Sequence, residues 1–195
     1  MPSVPRNRYL LFGLIAVVGC ATDLVTKAWF NSWPELVAGN VYWLWRGHVG
    51  IQLSWNQGAL FGMGQGNSWL FAAMATAAGC AVPAWLFWFG AARDAWLTAA
   101  LGGIMAGILG NLYDRLGLPA TVWPRGDVDI VHIHAVRDWM LWQWSDELRW
   151  PNFNIADSLL VVGAAALVWH AFWNPDHNDK PAHSVGNRDS GRPDH

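Results

Sequence analysis

Apolar and polar positions along the chain separate into long uncharged stretches and two segments of different texture. Ala95–Tyr113 is an uncharged run of 19 residues, and residues 158–175 give another of 18. No Lys, Arg, Asp or Glu stands between Arg46 and Arg93, and Ser68–Ala92 within that interval is rich in Ala, Leu, Phe and Trp. A bilayer crossing takes about 20 mostly apolar residues, so each of these reads as a span, with Pro83 predicting a kink. Tyr9–Thr22 is shorter, 14 residues before Asp23 and Lys27. It suits the apolar region of a signal peptide, and becomes a full span only if both charges lie within the membrane's outer edge. The pattern predicts four spans, at about 8–28, 68–92, 95–115 and 156–173.

The first segment has a rival reading. Arg6 and Arg8 precede an apolar stretch, and Val17-Val18-Gly19-Cys20 resembles a lipobox. On that reading the chain is a secreted lipoprotein cut before Cys20. Three further spans weigh against it, because a mature lipoprotein is usually soluble.

Between the first two spans the period changes. Ile51, Leu53 and Trp55 alternate with Gln52, Ser54 and Asn56, as in a half-buried strand. Val41–Trp45 has the β-branched and aromatic character to pair with it. Gly58, Gly62, Gly64 and Gly66 predict a turn-filled loop into the second span. Leu116–Asn154 is polar and reads as an extended loop between spans three and four. Residues 174–195 are polar and poor in apolar side chains, and predict a disordered tail. The fold class expected is an all-α membrane protein, a single domain over 1–173 with a tail over 174–195.

Composition sharpens this. Hydrophobic residues make up 53% of the 195 and charged residues 13%, about half the charged share of a soluble domain. Net charge is −2 and no basic stripe is present, so nucleic acid is not an expected partner. Two cysteines, Cys20 and Cys80, exclude a disulfide framework and a cysteine zinc cluster. Sixteen tryptophans fit membrane interfaces, where one end of the side chain is apolar and the other wet. Orientation is not legible from charge, since the two sides would carry six basic residues each.

Ionisable residues at membrane depth suggest function. Asp23 and Lys27 stand at i, i+4 on one helix face, which also suits a simple ion pair at a helix end. Asn111, Asp114 and Arg115 close the third span on a shared face, after Gly102, Gly103, Gly107 and Gly110; Gly103 and Gly107 make a small-xxx-small seam for a neighbouring helix. Asp138 sits beside an aromatic-rich run, and Asp157 opens the fourth span, where an acid also complements the helix dipole. Two carboxylates brought together can share one proton, leaving one group as base and the other as acid. Such a dyad hydrolyses a peptide bond without a metal or a covalent intermediate.

These residues carry a resemblance to lipoprotein signal peptidases, the signal peptidase II family of bacterial intramembrane aspartyl proteases. The matching blocks are Asp23–Lys27, Asn56–Gly62, Gly102–Arg115, Val136–Trp139 and Trp150–Asp157, in that order along the chain. The resemblance implies an endopeptidase that removes the signal peptide of a diacylglyceryl-modified prolipoprotein, cutting just before the lipidated cysteine. It implies Asp138 and Asp157 as the catalytic pair, and Asn56, Asn111, Arg115 and Asn154 as substrate-binding or orienting residues. Asp23, Lys27, Gly107 and Asp114 fall on motif positions of structural or accessory character. It further implies a small extracytoplasmic β platform at 41–56, a multi-pass protein of the inner (cytoplasmic) membrane, a site at the outer face, cytoplasmic termini, contact with membrane lipids, binding of globomycin-type inhibitors, and no cofactor or metal.

Two departures bear on the assignment. Trp139 follows the first acid where the family usually has Phe. The link from Arg115 to Asp138 is longer than the family's, with an insertion over about 117–134, and Asp129 within it is a rival for the first catalytic acid. Asp138 is preferred for its aromatic-rich surroundings and its spacing from Asp157. The competing chemistry is a metal-dependent hydrolase on His132 and His134, completed by Asp127, Asp129 or Asp138, although the His-Glu-x-x-His signature is absent. The non-enzymatic alternative is a structural membrane protein whose polar groups serve helix packing.

Overall fold

The structure, a computed structural model, describes residues 3–58, 63–119, 123–125, 128–130, 134–145 and 147–173. Gly62, Asp127, His132 and the tail at 174–195 lie outside the described residues. Among the described residues, four helices are long and apolar enough to cross a membrane. They are α1 (Arg6–Phe30), α3 (Ser68–Pro83, with a π-helical turn continuing to Trp88), α4 (Ala95–Arg115) and α5 (Ile155–Trp173). A one-turn helix, α2 (Pro34–Val37), follows the first.

Helix α1 runs well beyond Thr22 and carries Asp23 and Lys27 fully buried. It can do so because the two charges face each other and the neighbouring helices rather than lipid. The second span ends at Trp88, short of the expected 92. Pro83 has no N–H to donate and its ring crowds the preceding turn. The turn after it widens, with Phe89 N–H donating to Ala84 O at 3.2 Å, and Gly90 takes a left-handed conformation (φ 79°) that reverses the chain. Asp94 then caps α4, its Oδ1 accepting from Leu97 N–H at 3.0 Å.

Helix α4 is the centre of the bundle, packing against α1, α3 and α5. Half of its most apolar window is buried, against 11–17% for the other three spans. Its small residues permit this. A β-carbon at Gly107 would lie 2.5 Å from Ala156 O, one at Gly102 would press on Ile15, and one at Gly110 would strike Asp23. The glycine seam read from the sequence is therefore where α5 and α1 approach α4.

Contacts sort the bundle into two ends. At one, Tyr9 stacks on Phe87 at 4.3 Å, His170 Nε2 stands 2.6 Å from Asp94 Oδ2, and Trp96 Nε1 donates to Ala166 O at 2.9 Å. The other end carries a four-stranded antiparallel sheet. Its order is β1 (Tyr42–Trp45), β2 (Val49–Asn56), β5 (Val136–Gln143), β6 (Arg149–Phe153). Among the described residues, strands β3 (Trp123–Arg125) and β4 (Val128–Ile130) pair with each other in a separate two-stranded sheet. The β1–β2 pairing matches the alternation read from the sequence. The extended loop expected at 116–154 is corrected: its second half supplies two strands to the same sheet. Arg137 and Asp138 give that stretch a loop-like polarity, but both are buried with partners, so their polarity does not oppose strand formation. A bulge between Ile51 and Ser54 interrupts the β2–β5 register and leaves Ser54 opposite Asp138. Phe30, Leu36, Ile51 and Leu53, packed by Trp33, Trp55 and Trp139, seat the sheet on the end of α1.

Cys20 lies within α1, where a β-carbon on the adjacent Gly19 would stand 2.7 Å from Ala106 Cβ. The N-terminal helix is thus packed into the bundle. Intact-mass measurement of the membrane-extracted protein is expected to find residues 1–19 attached and no diacylglycerol on Cys20. A lipidated N-terminal cysteine would restore the lipoprotein reading.

Candidate active site

The site begins at the N-terminus of α5. Asp157 N–H donates to Asn154 Oδ1 at 2.9 Å, and Asn154 N–H donates back to Asp157 Oδ2 at 3.2 Å. This reciprocal cap satisfies groups that a helix start leaves open. A third such group, Ala156 N–H, donates to Asp23 Oδ1 at 2.9 Å. Asp157 is therefore held in one rotamer by its own helix.

Asp138 comes from β5 and is 2% exposed. Asn154 Nδ2 donates to Asp138 Oδ1 at 2.6 Å, while Asn111 Nδ2, from α4, donates to Asp157 Oδ1 at 2.8 Å. The asparagines also meet each other, Asn154 Nδ2 lying 3.3 Å from Asn111 Oδ1. Two amides thus tie the two carboxylates into one network. Burial, and after it the negative charge of Asp157, pushes the Asp138 carboxyl well above the ordinary carboxylate range. A carboxyl so placed keeps its proton where an exposed aspartate has lost it.

Beneath this pair lies a buried ionic layer. Lys27 Nζ stands 2.7 Å from Asp23 Oδ2 and 3.1 Å from Asp114 Oδ2, and donates to Asn111 Oδ1 at 3.0 Å. Arg137 donates to Asp114 Oδ1 through Nε (2.9 Å) and Nη2 (2.7 Å), and through its backbone N–H to Oδ2 (3.1 Å). Two acids and two bases balance. Each removed singly leaves an uncompensated buried charge, which is strongly destabilising. This layer joins α1, α4 and β5, and so holds the strand bearing Asp138 against the helices.

A cleft of about 400 Å³ opens beside the pair. Phe71 and Ala75 of α3 line it, with Gly107, Asn111 and Arg115 of α4 and Asp157, Leu160 and Ala164 of α5. Asn56, Trp150 and Asn152 line it from the sheet. Arg115 Nη2 donates to Gly58 O at 2.9 Å and its guanidinium lies 5.7 Å from the Phe71 ring centre. Asn56 Oδ1 accepts from Gly58 N–H at 2.9 Å. The structure therefore brings Asn56, Asn111, Arg115, Asn154 and Asp157 around one cleft and network with Asp138. Asp23, Lys27 and Asp114 sit in the ionic layer, and Gly107 at the α4–α5 contact.

Asp129 lies on β4, in the separate two-stranded sheet. His134 Nδ1 is 2.9 Å from Arg115 O, and its ring packs on Trp69 at 4.6 Å. Among the described residues no three His, Cys, Asp or Glu side chains gather as metal ligands, and His132 is outside them. Sequence reasoning assigned no role to Arg137, Asn152, Phe71 or Trp150. Arg137, Trp150 and Asn152 lie within the matching blocks, but the partners that give Arg137 and Asn152 meaning, Asp114 and Gln52, lie far away in the chain.

A family model described as signal peptidase (SPase) II matches residues 15–173. The chain is 49% identical over 169 residues to a lipoprotein signal peptidase of Rhodopirellula baltica, covering 86% of this chain and 74% of that one. It is 30% identical over 193 residues to a lipoprotein signal peptidase of Pseudomonas putida, covering 94% and 99%. In fold it is similar to a bacterial membrane enzyme solved at 2.3 Å resolution, with a TM-score of 0.69, 23% identity, and coverage of 89% and 93%.

Proposed function

The chain belongs to the signal peptidase II family, and we propose that it removes prolipoprotein signal peptides with Asp138 and Asp157 as its catalytic pair. It is a peptidase of bacterial membranes, built on four membrane-crossing helices. The observation that carries the mechanism is the pair of carboxylates held by Asn111 and Asn154 at the mouth of an apolar cleft.

Their surroundings divide the work. Asp157 accepts an N–H on each oxygen, and both hydrogen bonds stabilise its ionised form. Asp138 accepts one amide N–H and is buried, a setting that favours the acid. Water attacks the scissile carbonyl carbon while Asp157 takes its proton and Asp138 protonates the carbonyl oxygen, giving a neutral gem-diol. The gem-diol returns a proton to Asp138 as the C–N bond breaks, and Asp157 delivers its proton to the leaving nitrogen. Atoms and protons balance, and both acids end as they began. Asn56 and Arg115 hold the peptide backbone along the cleft.

In this reading the substrate carries a diacylglyceryl cysteine and is cut just before it. Lipid chains and signal helix lie against the apolar walls given by Phe71, Leu160 and Ala164, and globomycin-type inhibitors occupy the same cleft. Residues 1–173 act as one domain in the inner membrane, with the sheet and site at the outer face, both termini in the cytoplasm and 174–195 as a cytoplasmic tail. Purified protein is expected to release the signal peptide from a diacylglyceryl-modified prolipoprotein, to ignore chelators, and to leave the unmodified precursor uncut. Reporter fusions after Ala92 should behave as cytoplasmic and fusions near Pro124 as extracytoplasmic. Loss of cleavage to chelators, or an outside C-terminus, overturns the corresponding part.

A further inference from the structure

We infer that Lys27 is a positioning residue for the reaction: through Asn111 it fixes which hydrogen-bonding group faces Asp157. The inference rests on the reading of Asp138 and Asp157 as the reacting pair.

An ion-pairing role accounts for only part of what Lys27 touches. Its ammonium contacts three oxygens, and two of them, on Asp23 and Asp114, balance charge. The third belongs to the neutral amide of Asn111, which charge balance does not require. Asn111 Oδ1 lies within reach of two donors at once, Lys27 Nζ at 3.0 Å and Asn154 Nδ2 at 3.3 Å. With its oxygen so committed, the Asn111 NH2 points to Asp157 Oδ1 at 2.8 Å. A flipped amide would set N–H groups against an ammonium and another amide, and would turn a carbonyl oxygen toward the carboxylate. An amide's direction follows from its partners, and here the decisive partner is the Lys27 ammonium on α1. Lys27 and Asn111 are 0% and 6% exposed, so water does not compete for these bonds.

The consequence is polarity along a line. Lys27 presents a donor to Asn111, and Asn111 presents a donor to Asp157. That donor stabilises the ionised form of Asp157, the form that takes a proton from water. Without the ammonium, Asn111 is free to turn, and Asp157 would bind a proton more readily. Other charges face Lys27 as well. They are Asp23 on α1, Asp114 on α4 with its partner Arg137 on β5, and the pair itself, Asp138 and Asp157. Cys20 lies one turn before Asp23. A test that removes Lys27 alone would leave one buried negative charge unbalanced, because Arg137 still pairs with Asp114, so charge is removed in pairs.

The experiment compares the parent protein with Asp23→Asn/Lys27→Met, which keeps the net charge and leaves an Oδ1 for Ala156 N–H. Cleavage of a synthetic diacylglyceryl-cysteine prolipoprotein peptide is followed against pH in detergent micelles. The acid limb of the kcat profile should move to higher pH by about one unit, lowering kcat about tenfold on that limb, with KM within a factor of about three. Activity should recover as pH is raised. A second variant, Asn111→Leu, removes the donor to Asp157 without adding a charge; its acid limb should move the same way. A loss of kcat that is uniform across pH, with the limb unmoved in the variant that folds, reduces Lys27 to a structural ion pair and overturns the inference. Failure of the underlying reading looks different: the parent itself would show no bell-shaped profile, or Asp157→Asn would remain active.

Discussion

Asp138→Asn and Asp157→Asn are each expected to lower cleavage of a lipidated prolipoprotein by at least about a thousandfold, while the protein still accumulates in the membrane. The magnitude follows from loss of a group that both takes and returns a proton. Asn keeps the shape of Asp, and at 157 its carbonyl oxygen can still accept one of the two N–H groups now bound there, so folding is expected to survive. The double variant should be little worse than either single one, because the pair acts as a unit. Asp129→Asn, on the separate β3–β4 hairpin, should keep most activity. An active Asp138→Asn beside an inactive Asp129→Asn transfers the role across the insertion. The pH profile carries the same assignment. The Asp138 carboxyl is raised by burial and by the charge of Asp157, so the proton it donates is retained at low pH and lost only as pH climbs through that raised value. The alkaline limb should therefore fall well above the ordinary carboxylate range, and Asp138→Asn should abolish the residual signal rather than shift that limb.

The second large effect is expected at Arg115. Its guanidinium connects the loop after β2 to the end of α4 by donating to Gly58 O. It also lines the cleft, and its buried Nε has no hydrogen-bond partner among the described residues. A planar cation with several fixed donors suits peptide carbonyls. Arg115→Ala should lower kcat/KM about a hundredfold, equivalent to about 2.7 kcal/mol. Membrane insertion should be preserved, because the charge-balanced layer of Asp23, Lys27, Asp114 and Arg137 does not include it. Arg115→Lys keeps the charge without the fork, and should recover only part of the loss. Normal cleavage by Arg115→Ala would confine the residue to packing against Phe71.

Much of this architecture is local, and local chemistry is legible in a sequence. The four spans follow from uncharged runs of bilayer length, because in lipid a helix is the one single segment that satisfies its own backbone. Strand β2 follows from two-residue alternation and β1 from β-branched and aromatic residues, and glycines at helical spacing mark a face of α4 for a neighbouring helix, which packing fills with α5 and α1. The five motif blocks point to the residues that the cleft and its network later unite. Tertiary structure decided the rest. Residues 136–143 became a strand because β2 supplies its hydrogen-bonding partners and Asp114 neutralises Arg137, neither of which periodicity can register. Asn154 meets Asp138 across 16 positions, Lys27 meets Asn111 across 84, and Asp23 meets Ala156 across 133. A buried charge or amide is tolerable only with its partner in place, and partners so far apart along the chain are chosen by how helices and sheet pack, not by the residues beside them.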